Sequence, residues 1–117
     1  MKRLFALVLL LIAAGCRRSE SALGGDPARG KDLIESRYGC VACHSIPGTA
    51  GPRGMVGPPL DHIAVRQFLA GKLQNTPQTM AKWLQNPQAF APGNAMPNLG
   101  VTPKDARDIT AYLFTLK

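Results

Sequence analysis

The sequence predicts an all-α fold, and three observations carry that prediction. Three pairs of a polar residue and proline, Asp26-Pro27, Thr76-Pro77 and Thr102-Pro103, read as helix openings. A side-chain oxygen there can cap free backbone amides, and a proline at the first helical position lacks only an N–H that would be unpaired anyway. Apolar residues follow each opening at helical spacing, and no stretch carries the alternating pattern of a half-buried strand.

In chain order, the first helix runs from Asp26-Pro27 to about Tyr38, with Gly30, Leu33 and Ile34 on one face and Gly39 as its stop. Gly30 on that face reads as a point of close contact with another helix. Residues 45–59 carry four glycines and four prolines with no hydrophobic period, so they read as a loop. A second helix is expected over Asp61 to Leu69, with Ile63, Phe68 and Leu69 apolar, Arg66 charged and Gly71 as its stop. Thr76-Pro77 opens a third, continuing to Gln85 with Met80, Trp83 and Leu84 at i, i+3 and i+4. Asn86-Pro87 is expected to end it. Residues 91–99 then form an irregular loop in which Met96 stands just before a proline. The last helix opens at Thr102-Pro103 and buries Ala106, Ile109, Leu113 and Leu116 as a stripe.

Between the first helix and the first loop lies Cys40-Val41-Ala42-Cys43-His44. Two thiols three positions apart can each form a thioether to a vinyl group on one edge of a porphyrin, and the next residue puts an imidazole under the iron. Covalent attachment of one haem is the reading this spacing favours. A thioredoxin-like redox site would want a strand before the motif, where a helix is expected instead. A zinc site would want a second ligand pair, and outside the pentapeptide only Cys16 and His62 remain. A disulfide across two residues would be strained and would leave His44 unexplained.

An iron bound by His44 has a second axial position, for which Met55, Met80, Met96 and His62 are the candidates. Met80 shares the stripe of Trp83 and Leu84, so core packing is its default use. Met55 and His62 flank the proline turn on the His44 side and read as loop or surface residues. Met96 lies 52 residues after His44 in a proline-stiffened loop free of any helical stripe, and is the expected distal ligand. A methionine/histidine pair raises the reduction potential relative to two histidines and closes the iron to substrates.

The first residues read as an address. Met1-Lys2-Arg3 is a short positive segment and Leu4 to Ala14 an apolar run too short to span a bilayer comfortably, so residues 1–15 are expected to be an export signal. Residues 16–25 read as a flexible tether and 26–117 as the domain. The chain carries 14 basic and 7 acidic residues; counted from Cys16 it loses Lys2 and Arg3, leaving 12 against 7 and a net charge of +5. That favours acidic partners or an anionic surface. Scattered basic residues on an exported chain do not favour nucleic acid.

Asp26 to Lys117 resembles a class I c-type cytochrome: a helix into C-x-x-C-H, then Gly57-Pro58-Pro59-Leu60, then Asn94-Ala95-Met96-Pro97-Asn98-Leu99-Gly100, then a helix bearing Tyr112. From Gly57 onward it is especially similar to the cytochrome c domain of subunit II of some bacterial haem-copper oxidases, though here no copper-binding domain precedes it. The resemblance implies a cytochrome c fold of about four to five helices around one covalent haem c. The first and last helices would cross with Gly30 against Tyr112. It also implies that the carbonyl of Pro58 orients His44, and that Arg66 and the indole N–H of Trp83 hold a haem propionate. Their alternatives are a solvated helix charge and a core tryptophan. Ala13-Ala14-Gly15-Cys16 resembles a lipoprotein signal, implying a lipid on Cys16, with Ala13 departing from the usual leucine; the alternative is an ordinary cleavage site.

The function expected is that of a one-electron carrier, not an enzyme, on the extracytoplasmic or periplasmic side, anchored to a membrane through Cys16. Its partners by resemblance are a terminal oxidase, a quinol-oxidising complex, or a dehydrogenase or reductase. The other readings are a haem subunit of a larger complex, and an open-site haem enzyme or sensor.

Overall fold

The computed structural model describes residues 20–117, so the expected export signal and Cys16 lie outside the described residues. The carboxylate of Asp26 accepts the N–H groups of Ala28 at 3.0 Å and Arg29 at 3.1 Å and starts α1, Pro27–Asp32. This helix continues as one π-helical turn, Leu33–Arg37. Gly39 then reverses the chain at φ +59, a left-handed conformation that glycine adopts without a Cβ clash.

The expected helix over Asp61 to Leu69 is not there. His62 takes a left-handed φ of +54, only Ile63–Val65 forms a short 3-10 turn, and the chain then enters a hairpin of β1, Phe68–Leu69, and β2, Leu73–Gln74. Gly71, expected as a helix stop, instead makes the hairpin turn together with Ala70. Asn75 fixes this arrangement, its amide donating to the carbonyls of Ile63 at 2.7 Å and Arg66 at 3.0 Å.

Thr76 caps α2, Pro77–Gln85, by accepting from Thr79 N–H at 3.1 Å. Asn86-Pro87 does end this helix, but it also opens another. The Asn86 side chain accepts from Ala89 N–H at 3.1 Å and starts α3, Pro87–Phe90. Thr102 caps α4, Pro103–Leu113, through Asp105 N–H at 3.2 Å. Leu116 lies past the end of that helix and is half-buried, while Ala106, Ile109 and Leu113 are buried as expected.

The core forms where α1, α2 and α4 meet, around Leu33, Ile34, Met80, Trp83, Leu84, Ala106 and Ile109. A Cβ on Gly30 would stand 2.5 Å from the carbonyl carbon of Asp108, so the backbones of α1 and α4 cross in direct contact at this glycine. The crossing partner is the backbone of Asp108 and Ile109; Tyr112, one turn on, donates instead to the carbonyl of Pro47 at 2.6 Å. The last part of the expected tether is also packed. Ala22–Gly24 makes a 3-10 turn and Gly25 is buried against the Arg107 carbonyl. Among the described residues no helix is long and apolar enough to cross a membrane.

Candidate haem site

The left-handed Gly39 turns the chain into a single 3-10 turn, Cys40–Ala42, whose Cys40 carbonyl accepts from the N–H groups of Cys43 at 3.2 Å and His44 at 2.9 Å. The glycine-rich loop then folds back on this turn. Gly54 N–H donates to Val41 O at 3.1 Å, Gly57 N–H to Cys43 O at 2.8 Å, and Leu60 N–H to Ser45 O at 2.9 Å. Gly57 lies flat against the imidazole, where a Cβ would come within 2.7 Å of Nδ1 and 2.8 Å of Nε2. His44 Nδ1 is 2.7 Å from the carbonyl oxygen of Pro58. A carbonyl only accepts, so Nδ1 carries the proton, and Nε2 is the ring atom left to bind a metal.

Cys40 and Cys43 are not joined to each other in a disulfide. Burial pushes the Cys40 thiol up from its ordinary value. A disulfide-exchange site needs a lowered thiol pKa, so the structure disfavours the thioredoxin-like alternative.

Cys40, Cys43, His44 and Met96 line one cavity of about 710 Å³, within the range of roughly 300–1,000 Å³ that takes a cofactor-sized ligand. Its walls are apolar: Ile34, Ile46, Leu69, Met80, Leu84 and Leu113 among others. Among the described residues Arg66 is the one Lys, Arg, Asp or Glu on its lining. This fits a covalently attached haem on three counts. The thiols lie at one wall, an oriented imidazole and a thioether face the interior, and the remaining surface suits an apolar macrocycle.

Trp83 is buried and also lines this cavity. Arg66 lines it too, but its guanidinium is already engaged, donating to the carbonyls of Pro59 at 2.7 Å and Asp61 at 2.6 Å. Met80 is buried in the core and touches the same cavity. Met55 and His62 are exposed and do not line it.

Of three further residues that matter at this site, Gln88 carries no recognisable signal in the sequence, while Gly57 and Asn94 stand in the Gly-Pro-Pro-Leu and Asn-Ala-Met-Pro stretches, which mark the positions but not the contacts. Gly57 is the wall behind the imidazole. Gln88 and Asn94 lace the Met96 loop together: the Asn94 side chain accepts from Met96 N–H at 2.8 Å and the Gln88 amide donates to Met96 O at 2.8 Å. A helix-to-loop hydrogen bond of this kind becomes visible only once α3 is seen to exist.

Behind the site, the crossing of α1 and α4 holds an ionic network built on two buried carboxylates. Asp105 accepts from Tyr38 Oη at 2.7 Å and from Arg29 at 2.6 Å, while Asp108 accepts from Asp26 N–H at 2.8 Å, Lys104 at 3.1 Å and Arg29. The Tyr38 hydrogen bond, then Arg29, hold the Asp105 carboxyl below the usual carboxylate range against the cost of burial. For Asp108 burial is the largest influence and acts upward, but the Asp26 N–H, Arg29 and Lys104 together outweigh it. Tyr38 lines the cavity, so this network reaches the site wall.

The chain's similarities to known proteins bear on the site. A family model described as cytochrome c matches residues 27–117. Cytochrome c2 of Rhodopila globiformis is 33% identical over 83% of this chain and 99% of its own length. Cytochrome c oxidase subunit 2 of Alkalihalophilus pseudofirmus is 30% identical over 76% of this chain, but the match spans only 25% of that subunit. Among solved structures, SoxXA from P. pantotrophus superposes with a TM-score of 0.60 at 24% identity, covering 80% of this chain and 82% of that one. Cytochrome c2 of Rhodobacter capsulatus gives a TM-score of 0.57 at 22% identity over 76% and 96% of the two chains. At these identities the superpositions speak to fold alone.

Proposed function

Because the chain belongs to the cytochrome c family as a mono-haem class I member carrying one covalent haem c, we propose that it carries single electrons at an extracytoplasmic membrane surface, its iron closed by protein on both faces. In this reading Cys40 and Cys43 form the thioethers, and His44 and Met96 are the axial ligands. The observation that carries it is the meeting of these four side chains on one apolar cavity.

The haem supplies an Fe(III)/Fe(II) couple; the chain supplies what keeps that couple reversible. The Pro58 carbonyl fixes the tautomer and orientation of His44, strengthening it as a ligand. The apolar walls exclude water, and a methionine thioether favours the reduced state relative to a second imidazole. Trp83, buried on the cavity wall, and Arg66, which would have to exchange part of its clamp on Pro59 and Asp61, are the candidate propionate donors.

The anchoring part of the proposal is that residues 1–15 direct export, that Cys16 carries lipid and that 26–117 is the working domain. With Gly25 packed on α4, only Arg17 to Glu20 would separate the lipid from the folded part, a reach of at most about 14 Å for four extended residues. Partners would then have to work close to the membrane: a terminal oxidase, a quinol-oxidising complex, or a dehydrogenase or reductase. A net charge of +5 from Cys16 onward suits brief, small-interface encounters with acidic partners. A second reading, a haem subunit resident in a larger oxidoreductase complex, is supported by the match to one quarter of an oxidase subunit. Co-purification of a stoichiometric partner from the native membrane would favour it.

The test is the near-infrared absorption of the oxidised holoprotein, where a methionine–iron bond gives a weak charge-transfer band. The band is expected in wild type and is expected to vanish in Met96→Ala. A wild type that lacks it and binds carbon monoxide readily when reduced would move the reading to an open-site haem enzyme or sensor.

A further inference from the structure

The hydrogen-bonding capacity of the Gln88 side chain is spent inside one loop. Its Oε1 accepts from Gly93 N–H at 2.9 Å, and its Nε2 donates to the carbonyls of Asn94 at 2.9 Å and Met96 at 2.8 Å. The backbone N–H of the same residue donates to the Asn98 side chain at 3.3 Å. One residue of α3 therefore grips the loop at four points on both sides of Met96. Asn94 completes the grip. Its Oδ1 accepts from Met96 N–H at 2.8 Å, while its Nδ2 donates to Ala91 O at 2.6 Å and Pro87 O at 3.3 Å.

Both backbone polar groups of Met96 are thus held, the N–H by Asn94 and the carbonyl by Gln88, although Met96 itself lies in no helix or strand and is only half-buried. Beyond these bonds, Met96 is held by its packing against the apolar core. The loop has no substitute for the thioether: from Trp83 to Pro103 the chain contains no histidine, cysteine, lysine or other charged residue. If Met96 swings away, nothing in this stretch can take its place, and the position opens to small molecules from solution.

We propose that Gln88 is a positioning residue for Met96, setting how readily the thioether yields its place to an outside ligand. The proposal rests on the assignment of Met96 as the distal ligand. Without the Gln88 amide, the carbonyls of Asn94 and Met96 and the N–H of Gly93 would lose these partners, and Met96 would be held by Asn94, by Pro97 and by its packing on the core.

The test titrates the oxidised holoprotein with imidazole and follows loss of the near-infrared methionine band, in wild type, Gln88→Ala, Gln88→Glu and the exposed control Gln78→Ala. The glutamate variant keeps an acceptor for Gly93 N–H but turns a carboxylate on the two carbonyls, so it isolates the donor half of the grip. Imidazole is expected to bind at least tenfold more tightly to both Gln88 variants, since each loses two or more hydrogen bonds of ordinary strength. The reduction potential should fall with it, while the far-UV dichroism spectrum of the folded holoprotein stays that of wild type and Gln78→Ala matches wild type throughout.

Imidazole affinities within twofold of wild type in the Gln88 variants, with the band intact, would overturn the proposal while leaving Met96 as the ligand. A wild type without the band would overturn the ligand assignment and the proposal with it. If Gln88→Ala yields no holoprotein, Gln88→Glu decides the matter on the same criteria.

Discussion

Gly30→Ala tests the crossing on which the domain is built. The added Cβ would stand 2.5 Å from the carbonyl carbon of Asp108 and 3.0 Å from the amide nitrogen of Ile109, and both obstacles are backbone. Non-bonded carbons prefer roughly 3.5–4 Å, so α1 and α4 must part by about 1 Å. That movement would carry the Asp26 N–H, now 2.8 Å from the Asp108 carboxylate, out of hydrogen-bond reach. Overpacking costs about 1–3 kcal/mol and the lost hydrogen bond about 1 kcal/mol. Alanine in place of a helical glycine returns about 0.5–1 kcal/mol. The net is a loss of about 2–3 kcal/mol, or roughly 10–20 °C in the thermal midpoint of a domain of this size. Guanidinium unfolding of the holoprotein, followed by far-UV dichroism, should show a lower midpoint with an unchanged slope. A midpoint equal to or above that of wild type would refute direct backbone contact at Gly30.

Other consequences can be measured on the same preparation. Asp105 and Asp108 are held below their unfolded values, so the stability they give is complete above about pH 4 and is lost as pH falls through their folded values. Wild type should therefore hold its thermal midpoint from neutrality to about pH 5 and lose it below pH 4. Asp105→Asn should start lower and fall less steeply, and an acid limb parallel to wild type would contradict the network. Gly57→Ala pushes a methyl group into the His44 ring, so it should shift the reduction potential or cut the yield of holoprotein; an unchanged potential at full yield would mean that the ring is not seated against Gly57. Tyr112→Phe removes the 2.6 Å hydrogen bond to Pro47 and should cost about 0.5–1.5 kcal/mol in the same unfolding assay.

What the sequence discloses here is what depends on near neighbours along the chain. Helix starts at 27, 77 and 103 follow from a capping oxygen and a proline, both local. Asn86-Pro87 obeys the same rule, but it sits directly after a helix and so reads only as a stop, although one asparagine caps both ends. The 61–69 stretch misleads for the opposite reason. Its apolar spacing suits a helix, yet the left-handed His62 and the hold of Asn75 on Ile63 and Arg66 override it, and Asn75 lies outside the stretch. At the site, the pentapeptide is readable because thioether geometry fixes its spacing. Gly57 and Asn94 are marked by their motifs but not by what they touch, since Gly57 meets the His44 ring only after folding, and Gln88 in α3 carries no signal because a helical glutamine has many other uses. The likeness between residues 21–25 and a linker fails at Gly25, whose missing side chain admits the Arg107 carbonyl.

The crossing of α1 with α4 also ties the site to the far end of the chain. Its contacts join residues up to 82 positions apart, Asp26 to Asp108, and closing a loop of that length costs about 4 kcal/mol in chain entropy beyond a constant term. The face of Gly30, Leu33 and Ile34 packs against α4, and Cys40 follows it after the left-handed Gly39. A change that parts the two helices is therefore expected to loosen the wall that carries Cys40 and Cys43, so that a fault at the seam between the two ends would be read at the prosthetic group as well as in unfolding.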